Sequence, residues 1–149
     1  MITNEVQYRA TKAHLATFEE AAANLEAKLA KEPGARTERL TRLELDAVLS
    51  QAADLRAELA EYDLLRSGTV STFEAGSLPE LANLLVKARI ARGWSQRELG
   101  VALGVAEQQI QRYESTGYRS ASLARICDVA AALDVTVTER AVLGNHSAA

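Results

Sequence analysis

Within residues 107–112 of this 149-residue chain stand five long hydrogen-bonding side chains: Glu107, Gln108, Gln109, Gln111 and Arg112. A primary amide can pair bidentately with the edge of adenine, a guanidinium with that of guanine, and a carboxylate can accept from the exocyclic amine of cytosine. A solvated helical face more often carries Lys and Glu than Gln-Gln-x-Gln-Arg, so this stretch points to the reading of planar polar edges. Other chemistries find little to work with. The two histidines, His14 and His146, lie far apart, with no Cys or carboxylate cluster at ligand spacing, so no metal or cofactor is expected. There is no glycine-rich phosphate loop and no nucleophile motif, and an enzyme is not expected.

A reading face needs a rigid element to hold it. Ser95 followed three residues later by Glu98 is a capping-box signature and starts a helix there. Leu99 and Leu103 fall four apart on one face, and Gly104 ends the helix where a left-handed residue costs little. Val105 is the apolar residue of the turn. A second helix then runs over 106–114, with Ile110 and Tyr113 inward and the polar set outward. Two short helices joined this way form a helix-turn-helix pattern, whose second helix enters the DNA major groove.

The span from Leu84 to Val135 resembles the phage repressor and Cro type of helix-turn-helix domain, the XRE family. The matching residues are Arg89 to Leu99, Leu103-Gly104-Val105, Ile110 to Glu114 and Ala130 to Val135, and the likeness covers roughly a third of the chain. It implies a five-helix domain that makes base contacts through Glu107, Gln108, Gln109, Gln111 and Arg112. It further implies phosphate contacts from Ser95 and Gln96, at a helix start whose positive end favours an anion. Arg97 and Arg119 add phosphate charge, and Tyr118 either reaches the backbone through its hydroxyl or packs the loop. Arg89 and Glu114 match the positions of a structural ion pair in this family. Ala106 departs from the Ser or Thr usual at the head of the recognition helix, which weakens that cap by about 1 kcal/mol. The implied function is a sequence-specific transcriptional repressor, acting as a homodimer on a double-stranded operator. The alternative is a HigA-type antitoxin of a type II pair, which binds a toxin protein and represses its own operon.

Net charge is −3, an unexpected value for a DNA binder until it is divided along the chain. Residues 1–66 carry nine Lys or Arg against twelve Asp or Glu, whereas residues 87–125 carry seven against three. The basic footprint is local, as an electrostatic binding face requires. Apolar residues make up 48% and aromatics only 5%; Ala and Leu enrichment with two prolines predicts a mainly α protein. No run of 18 apolar residues exists and the N-terminus lacks the apolar stretch of a signal peptide, so a cytoplasmic protein with no membrane role is expected. The lone Cys127 sits at helical spacing among Leu123, Ile126 and Ala130, and is expected to pack in the core.

Ahead of this domain, residues 1–66 are expected to form an antiparallel helical hairpin for dimerisation or partner binding. The first helix runs from Asn4, as cap, to Lys31, stopped by Pro33-Gly34; its seam is Tyr8, Thr11, Leu15, Phe18, Ala22, Leu25 and Leu29. The second runs from a Thr37 cap to Arg66, with a coiled-coil-like seam of Leu45, Val48, Ala52, Leu55, Leu59 and Tyr62, and with Leu40 and Leu43 off register. Residues 67–78 connect it to a helix-turn-helix domain over 79–143, with a tail, 144–149, expected to be disordered. The β-prone stretches 69–73 and 135–139 are candidates for a small two-stranded sheet. A plain linker is the alternative for the first, and a short fifth helix for the second.

Overall fold

The computed structural model describes residues 1–31, 34, 36–138 and 140. Six helices occur among them: α1 (Glu5–Lys31), α2 (Glu38–Arg66), α3 (Leu78–Ala91), α4 (Gln96–Leu103), α5 (Glu107–Ser115) and α6 (Leu123–Ala132).

Helix α1 starts where the sequence provides a cap: Asn4 Oδ1 accepts from the Gln7 N–H at 2.9 Å. Gly34, past its end, has φ +80°, while Pro33 lies outside the described residues. Thr37 occupies the cap position of α2 but makes no side-chain cap bond. The Glu38 carboxylate reaches back to the Gly34 N–H at 2.8 Å and satisfies that turn instead. Every residue of both heptad seams is buried or half-buried, with Ala22 and Ala52 enclosed. Leu40 and Leu43 are exposed, and Thr41 between them turns inward at 3% exposure. Arg56 to Glu19 at 2.7 Å and Arg66 to Glu5 at 2.8 Å cross the hairpin, and the Tyr8 and Tyr62 rings meet at 5.2 Å near its base.

The hairpin is joined to the helices of the C-terminal half by a common core. Ile2, Leu59, Tyr62 and Leu65 share one apolar cluster with Ala82, Leu85, Val86, Ile90, Leu99, Ile110, Tyr118, Val129 and Leu133. Helix α3 runs through the middle of it, which is why it is apolar around most of its circumference and buries Ala82, Leu85, Val86, Ala88 and Ile90. Its cap is Ser77, whose hydroxyl accepts from the Glu80 N–H, with Pro79 in the first turn. Lys87 to Glu61 at 2.6 Å ties α3 to α2. Helix α6 is capped by Ser122.

Three expectations are corrected. First, neither 69–73 nor 135–138 forms a strand, and no strand occurs among the described residues. Val70 and Phe73 both turn inward, and residues three apart cannot share one face of a period-two strand. The two stretches instead line an open groove of about 1040 Å³ over Leu81, Leu84 and Leu85 of α3. Second, 135–138 is not the short helix that was the alternative there; four helices, α3 to α6, lie among the described residues of this part, and residues 139 and 141–149, with the expected tail, lie outside the description. Third, Cys127 is exposed. The buried stripe of α6 is Ile126, Val129, Ala130 and Leu133, which rotates Leu123 and Cys127 outward.

Candidate nucleic-acid interface

Helix α4 opens with a complete capping box. The Ser95 hydroxyl accepts from the Glu98 N–H at 3.1 Å, and the Glu98 carboxylate accepts from the Ser95 N–H at 2.6 Å and its hydroxyl at 2.8 Å. Those bonds hold the Glu98 carboxyl below the usual carboxylate range, the Ser95 N–H first among them. The helix ends at Gly104, with φ +66°.

The turn between α4 and α5 depends on Gly100, in the middle of α4. A Cβ there would stand 2.8 Å from the Val105 carbonyl oxygen, so only glycine lets the turn fold back this closely. The Val105 N–H donates to the Gly100 carbonyl at 2.9 Å across that approach. Ala106 is the cap of α5 and, lacking a hydroxyl, makes no side-chain cap bond.

The inner face of α5 is Ile110, fully buried, and Glu114, 5% exposed. Arg89 grips Glu114 side-on, Nε to Oε1 at 2.6 Å and Nη2 to Oε2 at 2.8 Å. Two further guanidinium N–H groups go to the carbonyl of Trp94 at 2.6 Å and to that of Thr3 at 2.6 Å. A buried charge pair is tolerable only when its polar atoms find partners, and every guanidinium nitrogen here has one. Gln96 completes the arrangement: it is 4% exposed, its Nε2 donates to Glu114 Oε2 at 2.7 Å, and its Oε1 accepts from Asn4 Nδ2 at 3.2 Å.

The outer face carries Glu107, Gln108, Gln111 and Arg112, all exposed, with Gln109 half-buried at its edge. The Gln111 amide donates to the Glu107 carboxylate at 3.2 Å, so those two occupy each other. Gln108 and Arg112, one turn apart, have no side-chain partner among the described residues.

Charge sorts itself similarly. Of the seven cations between residues 87 and 125, Lys87 pairs with Glu61, Arg89 with Glu114, Arg92 with Asp134 and Arg125 with Asp128. Arg97, Arg112 and Arg119 are exposed, with no carboxylate at ion-pair distance among the described residues.

Two of the residues expected at phosphates are placed otherwise. The Gln96 side chain is enclosed, its amide committed to Glu114 and Asn4. Of the two roles open to Tyr118, the fold takes packing: it is 1% exposed, stacks on Tyr113 at 5.9 Å and buries its hydroxyl without a protein partner. Burial and the nearby Glu114 carboxylate push that phenol above its usual range, which keeps it neutral. Ser95 stays at the surface, with its hydroxyl used in the cap.

Sequence reasoning read Asn4 as the cap of α1 but missed Gly100, the Thr3 carbonyl and the bond from Asn4 to Gln96. A glycine inside an otherwise helical pattern was the available signal for the first. Nothing local marked the other two, whose partners lie 86 and 92 residues away.

Residues 85–140 match the Helix-turn-helix family. No curated protein and no solved structure matches the chain. No helix among the described residues is long and apolar enough to cross a membrane. With a capped α4, a glycine-dependent turn and a polar α5 anchored from beneath, residues 85–140 are a helix-turn-helix DNA-binding domain of the XRE type.

Proposed function

We propose that this protein is a sequence-specific transcriptional repressor that reads the major groove of duplex DNA with α5. The observation that carries this reading is the sorting of partners on one short helix. Gln108 and Arg112 stand exposed and uncommitted, while the cations that remain unpaired nearby are those expected at phosphates, Arg97 and Arg119. A bidentate amide on adenine and a guanidinium on guanine supply base discrimination, and the two arginines supply sequence-independent attraction. Glu107 and Gln111, bonded to each other, can open to accept from cytosine or pair with adenine at little cost.

The protein acts as a homodimer in this reading. One hairpin leaves most of its seam only half-covered, and Leu40, Leu43 and Leu49 of α2 are exposed, which favours association of two hairpins. Two domains would then meet half-sites about 34–36 Å apart, one helical turn of DNA.

Selection from a randomised duplex library, combined with footprinting, tests the function. The expected result is an enriched site with two related halves that the protein binds at least about 10³-fold more tightly than random duplex. Equal affinity for the enriched and random duplexes would sink the proposal.

A further inference from the structure

We propose that Thr3 and Asn4, at the first turn of the hairpin, position the recognition helix, so that the hairpin is part of the reading apparatus. The inference rests on α5 being that helix.

Helix α5 has nine residues, too few to fix its own direction, and its polar inner residue Glu114 is held through Arg89 and Gln96. Each of those two side chains has one further bond that leads to the start of α1. Arg89 Nη2 reaches the Thr3 carbonyl, and Asn4 Nδ2 reaches Gln96 Oε1. The Thr3 peptide is itself fixed from the other side, since its N–H and hydroxyl both donate to Gln7 Oε1, at 2.8 and 3.0 Å. Asn4 works with both ends of its amide: the oxygen caps α1 and the nitrogen holds Gln96. Ile2 beside them is 3% exposed in the shared core, which leaves this turn no freedom to swing away. The chain thus runs from hairpin to recognition helix through Asn4, Gln96 and Glu114, by side-chain bonds alone. Residues 3 and 4 lie far outside the 85–140 family match, so the support belongs to this chain's own architecture.

Base readout depends on side-chain placement to within about 0.5 Å, so a loosened support should cost discrimination before it costs folding. Asn4→Ser separates the two tasks of Asn4: the shorter hydroxyl still caps α1 but cannot reach Gln96. Asn4→Asp is the second variant; it keeps the cap and replaces the donor with an acceptor. Both are titrated against the enriched duplex and a random duplex, with melting temperature measured alongside. A roughly three- to tenfold loss of affinity for the enriched duplex is expected, with random-duplex affinity and melting temperature held. In a Gln96→Ala background Asn4→Ser should add nothing. Wild-type affinity for the enriched duplex in both variants would overturn the proposal, as would a parallel fall in both affinities with the melting temperature, which marks a purely structural contact. A wild-type protein that fails to prefer its enriched duplex removes the reading itself and this inference with it. A wild-type preference left unchanged in the variants removes only the inference.

Discussion

Arg112 and Glu114, two residues apart on α5, lie on opposite sides of the helix: Arg112 is exposed and partnerless among the described residues, while the Glu114 side chain is 1% exposed in the grip of Arg89. Their replacements should have opposite consequences. Arg112→Ala is expected to cost about 1–3 kcal/mol of binding and to relax preference at one base position, with stability unchanged. Glu114→Ala leaves the Arg89 charge buried without its counter-ion and should cost about 3–5 kcal/mol of stability, a large part of what a domain of this size has. Chemical denaturation and DNA titration on both variants check the pair; a stable Glu114→Ala that fails to bind DNA would mean the faces of α5 are assigned wrongly.

Arg97 and Arg119 are expected to act through charge alone. Replacing either by Gln should weaken enriched and random duplexes alike and reduce the slope of log affinity against log salt by about 1. A change in base preference in either variant would place that arginine at a base edge instead.

The hydroxyl of Tyr118 is buried without a protein partner, so its removal should not harm folding. Tyr118→Phe is expected to leave DNA affinity unchanged and to hold or raise stability, by up to about 1 kcal/mol. A loss of affinity with stability intact would restore the hydroxyl as a phosphate contact.

Gly100→Ala places a methyl group 2.8 Å from the Val105 carbonyl, a backbone atom that cannot move without shifting the turn. Overpacking of this kind costs about 1–3 kcal/mol, and the roughly 1 kcal/mol that alanine gains in a helix interior offsets part of it. A net loss of up to about 2 kcal/mol, read by denaturation, is the expected outcome. A more stable variant would show that the turn has slack.

Local rules carried far in this chain. Heptad spacing located both seams to the residue, and the Ser95–Glu98 pair and Gly104 placed the ends of α4, because caps and glycine stops act over three or four residues. Local preference misled where pairing decides. Val70, Phe73 and Val135 are good strand residues, yet Phe73 and Val135 pack on the core, Val70 lines the groove, and no ladder forms among the described residues. Cys127 was misplaced because Leu123, at the exposed start of α6, counted as a core residue in its pattern. At the interface, residue type alone marked the outer face of α5. The Arg125–Asp128 pair, three apart on α6, was within its reach, but it could not say that Lys87 and Arg92 would be neutralised, since Glu61 and Asp134 find them only once the helices pack. The same holds for Gln96, whose enclosure depends on Asn4 returning from the far end of the chain.

The shared core also sets an order of events during synthesis. The hairpin leaves the ribosome first and its helices can form within microseconds. Its base, however, carries Ile2, Tyr62 and Leu65, which belong to one core cluster with Val86, Leu99 and Ile110. At roughly 5–20 residues per second, the interval between the emergence of Leu65 and that of Ile110 is roughly 2–9 seconds. Throughout it the nascent hairpin shows an apolar end with nothing of its own to close it.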